Sequence, residues 1–295
     1  MESGAARSLI HPYASSPSKE AGNNLRTNFF RNIENYFSAR LPISTYCQVV
    51  NLRNKVRGKT HRIRPAHGED PALHIADDGR DHIYICRMGR HNRYKRGVIA
   101  GVERLARDYG LNRLSDLRSG VFIDCGANVG ELGIWARQRG FRYIPFEPEA
   151  LEARCVDLNN FGGQPECIRK ALWKEEAELR FYNRADKADS SVFNGENEAL
   201  SVVIPATTLD AAVDLSDIDG PVIFKLEAEG AEPEVLEGAR RSLSRIDWIA
   251  VDCGFERGPE NAHTFVETNI FLQDHGFRLV AAEFTRVTAL YRRMA

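Results

Sequence analysis

Apolar residues from about residue 120 onward occur in short runs with little polar alternation. Such runs are typical of strands that are buried on both faces of a sheet. The four clearest are VFID at 121–124, RYIPF at 142–146, PVIFKL at 221–226 and WIAVD at 248–252. Weaker strand patterns lie near Glu166 to Lys170 and near Glu178 to Tyr182.

Between these runs the apolar residues recur every three or four positions, which indicates helices. Predicted helices follow Gly130, Pro148 and Pro233, and proline is well tolerated in the first turn of a helix. An earlier helix carries on one face Val98, Val102, Leu105 and Tyr109. The alternation of strand and helix predicts an α/β fold with a mostly parallel, Rossmann-like sheet.

The two ends of the chain depart from this pattern. FRLVAAEF at 277–284 and RVTALYRR at 286–293 are close enough to pair as a C-terminal antiparallel hairpin strand on the parallel sheet. Residues 1–22 are rich in Ser, Ala, Gly and Pro without periodicity, the composition of a mobile arm. A helix with an aromatic face is predicted from Asn24 to Arg40, and HIYIC at 82–86 is predicted as a strand.

We therefore divide the chain into three parts. A mobile arm spans 1–22, an N-terminal cap with helical and irregular structure near the substrate spans 23–96, and the Rossmann-like domain spans 97–295.

Composition narrows the classes of function. The 295 residues hold 40 Lys and Arg against 41 Asp and Glu, so the formal charge of -1 creates no global field for nucleic acid or an anionic membrane. Six cysteines without a CxxC pair are expected to be reduced. No apolar stretch has the length of a signal peptide core or a membrane span. We therefore expect a cytoplasmic protein.

The segment VFIDCGANVGELG contains the strongest binding signal. A strand ends at Asp124, and the chain turns through Gly126, Asn128 and Gly130 directly into a helix. Glycines allow a close approach of backbone to a ligand, and the first turn of the helix offers unpaired N–H groups. Glu147 follows the next strand, where an acid can accept hydrogen bonds from both ribose hydroxyls.

The spacing GxNxG differs from the GxGxxG that places a pyrophosphate at a helix terminus. A dinucleotide is therefore disfavoured, whereas S-adenosylmethionine has a ribose and no phosphate. A Gly-rich turn with a surface acid is the alternative explanation. The predicted cofactor-binding residues are Asp124, Gly126, Asn128, Gly130, Glu131, Glu147 and Ala171.

Six motifs resemble the FkbM family of methyltransferases between Phe122 and about Gly254. They are IDCGANVGELG, FEPE, KALW, TTLD, KLEAEGAEPEVLEGA and IAVDCG. The resemblance implies a class I methyltransferase fold, S-adenosylmethionine as donor, and O-methylation of a sugar, glycolipid or polyketide-like molecule. The family pattern KxDxEGxE appears here as KLEAEGAE, with Glu227 at the aspartate position, and Asp252 stands where the family often has Glu.

A second group of acids follows two later strands, and we expect it to be catalytic. Ligands of open parallel sheets bind beyond the carboxyl ends of the strands, where Glu227, Glu229 and Asp252 lie together with Lys225. Methyl transfer to a hydroxyl needs alignment and removal of a proton. Crowded acids are expected to raise at least one pKa and so to supply a base.

Other roles remain open for the residues around these acids. Glu229 and Glu232 can instead cap the next helix, and His263 is an alternative base. No spacing demands a metal ion, so none is predicted.

The run RMGRHNRYKRG at 87–97 is the densest cluster of positive charge. We predict that it binds an anionic group on the substrate, through Arg90, Arg93, Tyr94 and Arg96. A solvated basic loop is the alternative.

Two other functions remain as alternatives to the enzyme. One is a catalytically inactive regulatory module that binds the same donor, and the other is an NAD-dependent oxidoreductase. Nucleic acid is not expected as a partner, because the chain lacks an Asn/Asp-Pro-Pro-aromatic motif and a net basic charge. The sequence is compatible with a homo-oligomer.

Overall fold

The computed structural model describes residues 42–183, 190–191 and 201–294. The predicted arm and the predicted helix from Asn24 to Arg40 lie outside these residues. The elements before the central domain are α1 (Ile43–Val56), β1 (Arg62–Pro65), β2 (His74–Asp77), β3 (His82–Ile85), a 3-10 helix (Met88–Tyr94) and α2 (Val98–Asp108). β3 confirms the strand predicted at HIYIC.

The central part of the chain continues with strands and helices in alternation. Its elements are β4 (Val121–Cys125), α3 (Glu131–Gln138), β5 (Arg142–Phe146), α4 (Ala150–Asn160), β6 (Ala171–Leu172), β7 (Ala177–Asn183), β8 (Ser190–Ser191) and β9 (Ser201–Thr207). The remaining elements are α5 (Leu209–Ala212), β10 (Val222–Leu226), α6 (Glu232–Glu237), β11 (Trp248–Asp252), α7 (Phe265–Asp274), β12 (Phe277–Glu283) and β13 (Thr288–Arg293).

The main sheet has the strand order β12-β13-β11-β10-β4-β5. The pairs β11–β10, β10–β4 and β4–β5 are parallel, and β13 pairs antiparallel with both β11 and β12. The mostly parallel sheet and the C-terminal hairpin are therefore both confirmed. The register places Lys225 of β10 beside Asp124 of β4 at their carboxyl ends.

Helices cover both faces of this sheet, as the continuous apolar strands predicted. On one face Val102, Trp135 and Val156 of α2, α3 and α4 pack against Phe122. On the other face Val235 and Leu272 belong to the core cluster formed by the opposite side of the strands. Strands enclosed in this way have no polar face, which explains the absence of alternation in their sequences.

Of the two weaker strand predictions, the one near Glu178 to Tyr182 is confirmed by β7, and the one near Glu166 to Lys170 is wrong. Near Glu166 to Lys170 only Ile168 makes an isolated bridge, to Phe146. β7, predicted near Glu178 to Tyr182, leaves the main sheet and pairs antiparallel with β9 in a sheet of order β6-β9-β7-β8. Pairing partners depend on contacts distant in sequence, which local periodicity does not reveal.

The N-terminal part forms a unit of its own against the main domain. β1, β2 and β3 make an antiparallel sheet, and α1 packs on it through Val50, which joins a core cluster with Ile63 and Ile75. Val129 and Cys155 of the main domain belong to the same cluster. All six cysteines are free thiols. Within the described ranges, no helix has the length and apolarity needed to cross a bilayer.

Candidate active site

Two cavities adjoin at the carboxyl ends of β4, β5 and β10. We call the first the apolar cavity, because Phe146, Leu172, Trp173 and Leu179 form much of its wall. The second, the polar cavity, is lined mainly by charged residues, among them Arg90, Arg93, Lys225, Glu256 and Arg286. Both cavities share Gly126, Asn128, Glu227 and Glu229. These four residues form what we call the junction.

The glycine turn after β4 brings two loops together at the junction. Gly126 has a φ of 71°, and a Cβ there would lie 2.4 Å from the carbonyl oxygen of Glu227. Asn128, with a φ of 52°, uses the left-handed conformation that asparagine tolerates. Only glycine fits the close approach at Gly126, so this residue links the turn to the loop after β10.

Gly130 makes a close helix contact that the sequence analysis did not foresee. It lines neither cavity, and a Cβ there would lie 2.4 Å from Asn160 Nδ2 of α4. The glycine therefore allows α3 to pack closely against α4, with a φ of 81° at the start of α3. Its role in cofactor binding stays a prediction.

Lys225 acts as a clamp on the glycine turn. Its ammonium group is buried and donates hydrogen bonds to the carbonyl oxygens of Cys125, at 2.9 Å, and Gly126, at 2.7 Å. The same nitrogen lies 3.0 Å from Asp124 Oδ1 and 3.2 Å from Glu227 Oε2. Lys225 thus holds the glycine turn in place and also lines the polar cavity, and its predicted catalytic role stays a prediction.

Asp124 is equally committed to the protein. Besides the ion pair with Lys225, its Oδ2 accepts a hydrogen bond of 2.8 Å from the hydroxyl of Tyr143. The carboxylate is buried yet still lines the polar cavity. It therefore contributes a fixed negative charge beneath the glycine turn.

Glu147 provides a carboxyl group to the wall of the apolar cavity. Its Oε2 accepts from the backbone N–H of Asn128 at 2.8 Å, and Oε1 accepts from that of Glu149 at 3.0 Å. Burial raises the pKa of Glu147 to about 8, although these two hydrogen bonds oppose the shift. Each oxygen keeps a second acceptor position, so the group can accept hydrogen bonds from two hydroxyls of a ligand. Ala171 lies on the wall of the same cavity.

Glu227 is held between two cations at the junction. Arg286 Nη2 lies 2.7 Å from Glu227 Oε1, and Lys225 Nζ lies 3.2 Å from Glu227 Oε2. Burial alone would raise the pKa of Glu227, but the charges of Lys225 and Arg286 outweigh it and lower the pKa to about 2. The sequence analysis expects crowding to raise at least one pKa among these acids. The pKa of Glu227 is not raised, but that of Asp252 is.

Asp252 lies next to this group but outside both cavities. Arg286 Nε donates to its Oδ2 at 2.6 Å, so one guanidinium bridges Asp252 and Glu227. Burial, with a further contribution from the charge of Glu227, raises the pKa of Asp252. Asp252 therefore positions Arg286, and it does not meet the requirement that a catalytic acid reach the cavity.

The loop after β10 presents Glu229 at the junction with a φ of 50°. Glu232 supports that loop, because its Oε1 accepts from the backbone N–H groups of Ala228 at 3.0 Å and Gly230 at 3.2 Å. Glu232 lies in the first turn of α6, but these hydrogen bonds hold the preceding loop, and the helix has no side-chain cap. His263, the alternative base, is exposed and lines neither cavity.

The basic run divides into buried and exposed residues. Arg90 pairs with Glu131 at 2.7 Å, and the Tyr94 hydroxyl donates to the same carboxylate at 2.6 Å. Tyr94 is fully buried and cannot stack on a ligand. Arg93 is exposed on the wall of the polar cavity, whereas Arg96 is exposed and lines neither cavity.

A family model for the methyltransferase FkbM domain matches residues 124–279, slightly more than half of the chain. This chain belongs to the FkbM methyltransferase domain family. The matched segment runs from the end of β4 into β12 and includes the glycine turn, Glu147 and the loop after β10. The predicted family, and with it S-adenosylmethionine as the cofactor, are confirmed.

Solved structures with a similar fold have low sequence identity. An FkbM methyltransferase from Methylobacillus flagellatus KT is 20% identical, with a TM-score of 0.40, over 59% of this chain and 43% of that chain. This chain thus spans less than half the length of that relative. A magnesium protoporphyrin IX methyltransferase from Synechocystis PCC 6803, with bound SAM, is 12% identical over 69% of this chain and 83% of its own, with a TM-score of 0.37. No curated protein matches the sequence.

Two residues beside the site, both outside the segment that the family model matches, were missed by the sequence analysis. Arg286 lies in the turn between β12 and β13, and Tyr109 follows α2; the guanidinium lies 3.4 Å from the tyrosine hydroxyl. Lys225 Nζ is 5.5 Å from the centre of the Tyr109 ring. Only the charge of Arg286 in a short hairpin turn was visible in the sequence, and nothing there connected it to β10.

Proposed function

We propose that this protein transfers a methyl group from S-adenosylmethionine to a hydroxyl group of a sugar, glycolipid or polyketide-like acceptor. The observation that carries the proposal is the junction. Gly126, Asn128, Glu227 and Glu229 border both cavities, so a donor on one side and an acceptor on the other would meet there. In-line transfer requires the reacting atoms to lie about 3 Å apart.

The apolar cavity fits the donor. Phe146 and Leu172 provide an apolar wall for the adenine, and the Glu147 carboxyl group offers an acceptor to each ribose hydroxyl. The short loop with Gly126 and Asn128 has no phosphate-binding pattern. When bound, S-adenosylmethionine supplies an electrophilic methyl group on a sulfonium.

Glu227 is proposed to orient the acceptor hydroxyl. Its low pKa keeps it ionised at every working pH, so an oxygen is always available to accept the hydroxyl hydrogen bond. A carboxylate held by two cations is a weak base. We therefore assign to Glu227 the role of orienting the acceptor hydroxyl. The proton of that hydroxyl is accepted by Glu229 or by water in the polar cavity.

Only one residue of the basic run is proposed to contact the substrate in the polar cavity. Arg93 is proposed to meet an anionic group of the acceptor, since it is exposed on that wall. Arg90 is proposed to hold the wall in place through Glu131. The proposed acceptor is a small molecule or a carbohydrate-like one.

The test is transfer of labelled methyl to candidate hydroxyl acceptors, with the product analysed by mass spectrometry. Glu227→Ala should lower turnover by about 100-fold or more, because the hydrogen bond that orients the hydroxyl is lost, while calorimetry should show unchanged donor affinity. Glu229→Gln, measured in parallel, separates proton removal from orientation. Methylation of nitrogen or carbon, or full turnover by the Glu227 variant, would contradict the proposal. Donor binding without any turnover would favour the inactive module.

A further inference from the structure

The segment from 42 to 68 differs in charge from the rest of the chain. It contains no Asp or Glu and six basic residues: Arg53, Lys55, Arg57, Lys59, Arg62 and Arg64. The whole chain has a formal charge of -1. Positive charge is therefore concentrated on α1, the turn after it and β1, although the net charge of the protein hides it.

The outward face of α1 carries an aliphatic stripe. Val49, Leu52 and Val56 are 55%, 65% and 79% exposed, and their spacing of three and four residues places them on one side of the helix. The opposite side packs into the N-terminal core through Tyr46 and Val50. The stripe is therefore a second apolar face of α1, which the described residues leave exposed.

Exposed cations flank this stripe. Lys55 lies beside the stripe on α1, Arg57 is at the C-terminal end of that helix, and Lys59 is in the turn that follows. Arg62 and Arg64 are exposed on β1. This strand is held against α1 by the side chain of Asn51, which donates to the carbonyl oxygen of Ile63 and accepts from its N–H group. The aliphatic and cationic side chains thus belong to one pair of adjacent elements.

A second exposed aliphatic pair shows why charge matters. Val266 and Ile270 on α7 are 56% and 54% exposed, but the same helix carries Glu267 and Asp274 and no basic residue. An anionic surface would repel this helix. Among the described residues, the α1 stripe is flanked on its own helix and on β1 by basic residues and no acid, although Asp77 of β2 lies beside Arg62 in the strand register.

We propose that α1 and β1 form an interfacial surface that binds anionic phospholipid bilayers. Aliphatic side chains of an amphipathic helix insert at the level of the headgroups, and flanking cations are attracted to anionic lipids. A nucleic acid would satisfy the cations but leave Val49, Leu52 and Val56 in water, so the lipid surface fits the complete surface better. This proposal does not depend on the identity of the methyl acceptor.

The surface is connected to the polar cavity through the 3-10 helix. The Tyr46 hydroxyl of α1 lies 3.2 Å from His91 Nε2, and His91 belongs to the same turns as Arg90 and Arg93. The lipid-binding surface and the basic wall of the polar cavity are therefore parts of one packed unit. Bilayer binding would place that wall close to the membrane.

Binding is measured by co-sedimentation of the full chain with phosphatidylcholine vesicles, with and without phosphatidylglycerol. We expect partitioning onto the anionic vesicles to be at least about tenfold stronger, and to weaken with salt. Val49→Ser, Leu52→Ser and Val56→Ser combined should reduce it about tenfold or more. Lys55→Glu, Arg57→Glu and Lys59→Glu combined should do the same. Val266→Ser with Ile270→Ser is the matched control and should bind normally.

Thermal melts are used to check that each variant is folded. If the stripe variant does not fold, the charge-reversal variant still tests the proposal. Equal binding to neutral and anionic vesicles, or unchanged binding by both α1 variants, would overturn the proposal. The proposal would also be overturned if the unmodified chain does not bind vesicles while the stripe variant melts at a lower temperature or changes its oligomeric state. That result would mean that the first 41 residues or a second copy of the chain covers the stripe. Binding to single-stranded RNA but not to vesicles would also overturn it.

Discussion

The wall of the apolar cavity and the junction each hold a glutamate, and the pKa values of the two carboxyl groups are shifted in opposite directions. Glu147 has only backbone N–H partners, and burial raises its pKa to about 8. The side chain of Glu227 is 27% exposed, and the charges of Lys225 and Arg286 lower its pKa to about 2. The difference shows that neighbouring charge, more than burial, decides the ionisation of an acid in this site. It also predicts that donor binding responds to pH whereas the charge of Glu227 does not.

The largest effect is expected from removing Lys225, the cation that pairs with both Asp124 and Glu227. Lys225→Met leaves Asp124 buried without its ion pair, so the free energy of unfolding should fall by about 3–5 kcal/mol. Denaturant unfolding measures it. Adding Asp124→Asn should restore part of the loss, because it removes the unpaired charge. A loss below about 1 kcal/mol would mean that the clamp is not needed.

The apolar cavity is tested by its glutamate. Glu147→Ala should weaken binding of S-adenosylmethionine by about 1–3 kcal/mol, because hydrogen bonds to the ribose hydroxyls are lost. Calorimetry measures the change, with the exposed Glu260→Ala as control. Unchanged donor affinity in a folded Glu147 variant would rule out the ribose assignment.

The pH dependence of donor affinity separates the two glutamates. A carboxylate accepts hydroxyl hydrogen bonds that a protonated acid accepts less well, so the Kd should rise as pH falls below about 8. The limit is about tenfold per pH unit. The stability of the donor-free protein depends on pH in the opposite direction to donor affinity. The raised pKa of Glu147 stabilises the folded state at low pH, and this contribution is lost as pH rises through about 8. Glu147→Gln should flatten both profiles, and a wild-type Kd independent of pH would contradict the assignment.

The smallest effect is expected at the rim of the polar cavity. Arg93→Gln should raise the KM for an anionic acceptor by roughly two- to fivefold and reduce its salt dependence, with donor affinity unchanged. Arg96→Gln is the matched control, because this arginine is exposed and lines neither cavity. If both variants behave alike, the basic run acts only through its general charge.

The sequence by itself determined the α/β sheet, its hairpin, the family and the glycine turn after β4. These features depend on residues close together in the chain: Gly126, Asn128 and Glu147 all lie within one strand-helix-strand unit. Local periodicity and spacing carry such information directly. The same reasoning predicted Gly130 at the ligand and did not foresee its helix contact, because from sequence alone a glycine that packs two helices resembles one that approaches a ligand.

Only the tertiary structure decided how the acids and bases are paired. Arg286 reaches Glu227 across 59 positions of sequence, and β13 must lie beside β11 before the two can meet. Lys225 became a clamp, and Tyr94 became part of the core, for the same reason. The partner of a charged side chain, and hence its pKa, is set by strand order and packing, which involve contacts distant in sequence.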